Sequence, residues 1–158
     1  MPRPGQESVW DYPRPPRIER LDARVHVELG DVALAEATHA LRVCETASPP
    51  TIYLPLRSVR TDLLERAPGS TLCEWKGHAH YLDARVGVLR AERAAWTYPE
   101  PFEGYGTLRD YIAFFPGRVD ACLIDDERVR PQPGGYYGGW ITRDLTGPFK
   151  GEPGSEGW

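Results

Sequence analysis

Hydrophobic residues along this chain alternate with polar ones far more often than they recur at helical spacing. Val25, Val27 and Leu29 alternate with Arg24, His26 and Glu28, the period-two signature of a half-buried strand. Gly30-Asp31 and then Val32 to Thr38 predict a two-residue hairpin whose corner takes positive φ. Ala40 to Thr46 reads as another strand. Pro49-Pro50 is expected to break the chain before a short edge-type strand, Thr51 to Leu56. Ser58 to Ala67 is the best helical stretch: Val59, Leu63 and Leu64 share a face, Ser58 can cap, and Pro68-Gly69 stops it. The central strand is expected over Leu72 to Leu82, followed by Ala84 to Leu89 and Trp96 to Tyr98. Leu108 to Phe115 fits a short helix or a strand. Val119 to Ile124, a turn at Asp125-Asp126 and Arg128 to Arg130 make a last hairpin. The pattern predicts a mainly-β fold of about nine short strands with one short helix.

Composition sharpens this picture at the two ends. The 158 residues include 16 glycines and 16 prolines, clustered from Met1 to Arg17, around Ala47 to Pro55, and from Pro131 onward. Such helix-breaking chemistry favours strands, long loops and ordered arms. Residues 1–20 are expected to form an extended Pro-rich arm, 21–130 one β domain, and 131–158 a Gly- and aromatic-rich tail packed on it. Trp10 and Tyr12 are anchors by which the arm docks on the domain or on a neighbouring subunit; the other reading is a disordered tail. A chain this long buries about 70% of its unfolded surface, enough for a real core.

A formal net charge of -4 offers no concentrated basic surface, so nucleic acid is not an expected partner. No run of about 18 apolar residues predicts a membrane span, and the opening Met-Pro-Arg-Pro lacks a secretory core, which makes cytoplasm the expected compartment. Cys44, Cys73 and Cys122 are odd in number and form no C-x-x-C pair, so free thiols are expected, with Cys44 and Cys122 small core residues.

Candidate chemistry concentrates in Thr71 to Tyr81. Lys76 precedes Gly77, and a glycine inside a strand marks a bulge or a close backbone approach. A lysine there receives an anion or acts as an amine nucleophile; the plainer reading is a solvent-facing lysine. Cys73 gains reactivity if the ammonium reaches it. Positions 73 and 76 of an ideal strand point to opposite faces, however, so only a bend near Gly77 brings both to one pocket. His78 and His80 share a face at a known ligand spacing, but no third donor is fixed, and neither a metal nor any other cofactor is expected. Glu45, at a strand end near Tyr53 and Arg57, reads as a general base or as an ion-pair partner of Arg57. Trp96 and Tyr98 read as core or as the edge of a pocket. Phosphate-binding glycine motifs and the G-x-S-x-G elbow are absent.

Several stretches together resemble the DUF427 family: Pro55-Leu56-Arg57, Cys73-Glu74-Trp75-Lys76-Gly77-x-Ala79-x-Tyr81, Trp96-x-Tyr98-x-x-Pro101 and Tyr111-Ile112-Ala113-Phe114. The arm Val9 to Pro16 and the tail segments Tyr137 to Ile141 and Gly147 to Gly151 resemble bacterial members. The resemblance implies a compact single-domain β-tent, similar to methionine sulfoxide reductase B and the ligand domain of cereblon but without their zinc cysteines, with one or two short helices. It implies no activity. The nucleotidyltransferase-like label that the family has carried finds no paired acidic metal ligands beside a Gly-Ser turn here.

Three functional readings follow. The first is a small-molecule pocket, catalytic or not, with Lys76, Glu45 and Cys73 as its reactive groups and Tyr53, Arg57, His78, Tyr81, Trp96 and Tyr98 around the ligand. The second is a non-catalytic module that binds a peptide or partner, or forms a homo-oligomer, through the aromatic arm and tail. The third is a redox protein using Cys73.

Overall fold

The computed structural model describes residues 6–73, 75–134, 137–152 and 155. The first five residues of the expected arm, Glu74 of the motif, Gly135 and Tyr136 of the tail, and Pro153, Gly154 and the last three residues lie outside them. The strands are β1 (Glu7–Ser8), β2 (Arg17–Leu21), β3 (Val25–Leu29), β4 (Val32–Ala37), β5 (Ala40–Glu45), β6 (Ser48–Pro55), β7 (Leu64–Cys73) and β8 (Gly77–Val86). They continue as β9 (Leu89–Thr97), β10 (Tyr111–Phe114), β11 (Ala121–Ile124), β12 (Glu127–Arg128), β13 (Arg130–Pro131), β14 (Trp140–Ile141) and β15 (Leu145–Thr146). The mainly-β expectation holds.

Seven strands form one antiparallel sheet in the order β2-β5-β6-β10-β9-β8-β7, and four form a second, β12-β11-β3-β4. Because side chains alternate along a strand, β6 sends Ile52 and Leu54 to one face and Tyr53 to the other. Likewise β10 sends Ile112 and Phe114 one way and Ala113 the other. The first face joins Val25, Val27, Leu34 and Cys122 of the smaller sheet in the main core. The second face carries a separate, more aromatic cluster with Tyr53, Trp96, Tyr98, Tyr105 and Phe115. This division of the large sheet is what places the candidate site.

Both ends of the described chain pack down. Val9 is fully buried and Tyr12 nearly so, against Cys44 and Leu145. β1 pairs in parallel with β15, and the Trp10 indole N–H donates to the Pro148 carbonyl at 2.8 Å. Trp140 is buried, and its indole donates to the Phe114 carbonyl at 2.9 Å.

Three expectations require correction. The helix over Ser58 to Ala67, and with it the one or two short helices of the fold reading, is replaced by single 3-10 turns at Leu56–Ser58 and Thr61–Leu63, after which the chain enters β7. Helix nucleation is costly for so short a segment, whereas pairing from Leu64 onward with β8 secures backbone hydrogen bonds at once. Pro49-Pro50 does not end a strand but lies inside β6. There the two prolines together oppose the single residue Cys44, a bulge in β6, and β10 pairs only from Tyr53 to Pro55. The single central strand Leu72 to Leu82 is two strands of a hairpin, with Cys73 opposite Gly77 and Lys76 in the turn between.

Candidate functional site

The β7–β8 turn decides where Lys76 goes. Gly77 sits at φ 121°, where a side chain is strained, and a Cβ there would stand 3.1 Å from the Glu100 carbonyl oxygen. With that space free, the Phe102 amide donates to the Lys76 carbonyl at 2.9 Å. The turn is thereby pinned to segment 100–102. Lys76 points inward and is only 8% exposed. Its ammonium lies 5.9 Å from the Tyr98 ring centroid.

Around it is a cavity of about 160 Å³, room for about five waters at their liquid volume. Tyr53, Tyr81, Trp96, Tyr98 and Phe115 form aromatic walls, while Glu45, Thr51 and Gln132 supply polar groups. The rings support one another: Tyr53 meets Trp96 edge-on at 5.9 Å, and Trp96 lies 4.5 Å from Phe115. The Trp96 indole donates to the Tyr53 hydroxyl at 3.1 Å, and the Thr71 and Tyr81 hydroxyls are hydrogen-bonded at 2.8 Å. Glu45 arrives from the end of β5, where the Pro49-Pro50 bulge of β6 puts it opposite Ser48.

The electrostatics follow from burial and neighbours. Burial works most strongly against the Lys76 charge, but Tyr53, Cys73 and Glu45 together outweigh it and raise the ammonium above the ordinary lysine value. The balance favours the ammonium form of Lys76. Burial raises the Tyr53 phenol, although Lys76 pulls it down, and burial followed by Tyr53 raises Tyr98 strongly. These phenols are neutral hydrogen-bonding groups.

Of the sequence candidates, Lys76, Glu45, Tyr53, Tyr81, Trp96 and Tyr98 share this cavity. Cys73 interacts with Lys76 and packs on the aromatic cluster, yet it is not a cavity wall. The hairpin turn, not a bent strand, brings the two together. Arg57 lies elsewhere, exposed in a groove with His26 and Glu36, where it bonds the His39 ring at 3.1 Å. Since it follows Pro55 into a 3-10 turn, it leaves the sheet face that Tyr53 occupies. His78 is exposed and packs edge-on against Phe102, away from the cavity. Among the described residues no group of three or more His, Cys, Asp or Glu is placed to hold a metal ion.

Sequence reasoning missed Thr51, Gln132 and Gly138. Thr51 shares the Tyr53 face by alternation, a usable signal. Gln132 accepts from the Gly139 amide at 3.1 Å and donates to the Lys150 carbonyl at 2.7 Å, a tail arrangement with no local signature. Gly138 lets the tail lie flat on Trp96, because a Cβ there would stand 2.2 Å from the indole ring.

A mainly-β domain with a small, aromatic-walled polar cavity on one sheet face is the class that fold and site define. The family model for a domain of unknown function, DUF427, matches residues 17–125, and the chain belongs to that family. Residues 1–16 and the tail residues Gln132, Tyr137 and Gly138 lie outside the matched segment. A search of the curated proteins found no match.

Proposed function

We propose that this protein binds a small polar molecule in the Lys76 cavity, with the Lys76 ammonium holding an anionic or carbonyl oxygen and Glu45 able to move a proton. One observation carries the reading: a lysine is almost wholly buried, kept charged, and aimed into a cavity that Glu45 also lines. A buried cation is costly unless its surroundings compensate it, so a fold that retains one invests stability in a site. The aromatic walls exclude water and strengthen any charge-assisted hydrogen bond made inside. A β-tent architecture suits two antiparallel sheets over one core, with the ligand on the outer face of the larger sheet.

The test is a thermal-shift screen of a metabolite library against wild type and Lys76→Ala. A ligand that raises the melting temperature of the wild type alone supports the reading. Ligands that stabilise both proteins equally place binding elsewhere. The reading in which arm and tail recruit a partner keeps Trp10 and Tyr137 as exposed aromatics but loses Tyr12, which is buried against its own chain.

A further inference from the structure

We infer that the cavity takes a small zwitterion, its carboxylate toward Lys76 and its ammonium toward Glu45. The inference rests on the binding reading above and narrows it to a ligand class. Of the described lining residues, only Glu45 and Lys76 carry formal charge, and the charges are opposite. Among the described residues the two form no ion pair with each other. Lys76 bonds Cys73 and is influenced by Glu45 across the cavity, and an ammonium has three donors, so capacity remains for a guest, while the aromatic walls make any uncompensated charge expensive. A monoanion satisfying Lys76 meets repulsion from Glu45, and a monocation beside Glu45 meets repulsion from Lys76. A molecule bearing both charges satisfies both ends. The volume of about 160 Å³ suits an amino-acid-sized guest of about five to eight non-hydrogen atoms. Thr51 and Gln132 offer neutral groups that orient it without altering this balance.

Matched probes decide the question. Calorimetric titration at neutral pH compares propionate, propylamine and β-alanine, then butyrate, butylamine and γ-aminobutyrate, on wild type, Lys76→Met and Glu45→Gln. The expected result is a zwitterion at least about tenfold tighter than its matched acid and amine, the factor supplied by one charge-assisted hydrogen bond. Glu45→Gln should erase its advantage over the acid, and Lys76→Met its advantage over the amine. Acids binding as tightly as zwitterions overturn the inference and leave the Lys76-anchored reading standing. Amines binding as tightly overturn the inference too. If no probe binds, the zwitterion assignment fails and the metabolite screen alone decides the broader reading. Circular dichroism checks each variant; should Lys76→Met not fold, the wild-type ranking with Glu45→Gln is sufficient.

Discussion

Lys76 and Tyr98 face one another in a setting that favours the protonated form of each, and that preference links them to stability at alkaline pH. Both groups are raised above their ordinary values, near 10.5 for lysine and 10.0 for tyrosine; burial is the largest influence on each, opposed at Lys76 by Tyr53, Cys73 and Glu45 and reinforced at Tyr98 by Tyr53. A group whose folded value is raised contributes stability that is complete below its unfolded value and lost as pH rises through the folded one. The melting temperature should therefore hold from neutral pH to about 9.5 and fall above about 10. Tyr98→Phe removes one contributor and should flatten the alkaline limb; an unchanged slope in a pH series of melts would show that Tyr98 does not drive it. Gly138 gives a second test at this scale. Gly138→Ala drives a methyl to within 2.2 Å of the Trp96 ring, overpacking that should cost about 1–3 kcal/mol. Chemical denaturation measures the loss, and the fluorescence of Trp96 should shift with it.

The strands and tight turns were largely legible in the sequence because they are local. Gly30-Asp31 and Asp125-Asp126 all sit at positive φ, as their hairpin corners require. The helix at Ser58 to Ala67 was misjudged because Val59 and Leu63 reach the main core from an extended segment and a 3-10 turn, and Leu64 opens β7, whose partner β8 lies further along the chain. The cavity was half legible: the aromatics and the lysine stand out by type, but Arg57 was misplaced because its proximity to Tyr53 is sequential only. Asp83 holds the β8–β9 bulge, accepting from the Arg90 guanidinium at 2.6 Å and the Arg93 amide at 2.8 Å, a role with no local signature. The Arg90 hydrogen bond, then the Arg93 amide, depress its carboxyl. A depressed carboxyl contributes stability present above its unfolded value and lost as pH falls through the folded one. Asp83→Asn should cost about 1–2 kcal/mol at neutral pH, and the gap from wild type should narrow below about pH 4. Urea titrations at two pH values measure this, and a gap independent of pH would assign the loss to packing.

At the scale of the molecule, the arm acts as a clasp rather than an appendage. Val9 and Tyr12 close over Cys44 and Leu145, the Glu7 carboxylate pairs with Arg42 at 3.0 Å, and β1 adds to β15, so one small cluster ties the chain's two ends to β5. Removing residues 1–12 forfeits the burial of both side chains and should cost about 3–5 kcal/mol. The same deletion uncovers a thiol. Burial is the main reason that Cys44 is pushed up to about 12, which keeps it unreactive at neutral pH. Without the arm it should titrate nearer the ordinary thiol range and react with iodoacetamide. Cys122 belongs to the main core between the two sheets and should stay protected in both proteins, so it serves as the internal reference. Mass mapping of the labelled peptides separates the outcomes. Label on Cys44 alone, with the pocket still binding its ligand, identifies the arm as a clasp independent of the site. Label on both thiols means that the arm holds the whole fold. If Cys44 stays unlabelled, its protection comes from the sheet, and the clasp contributes only through Val9 and Tyr12.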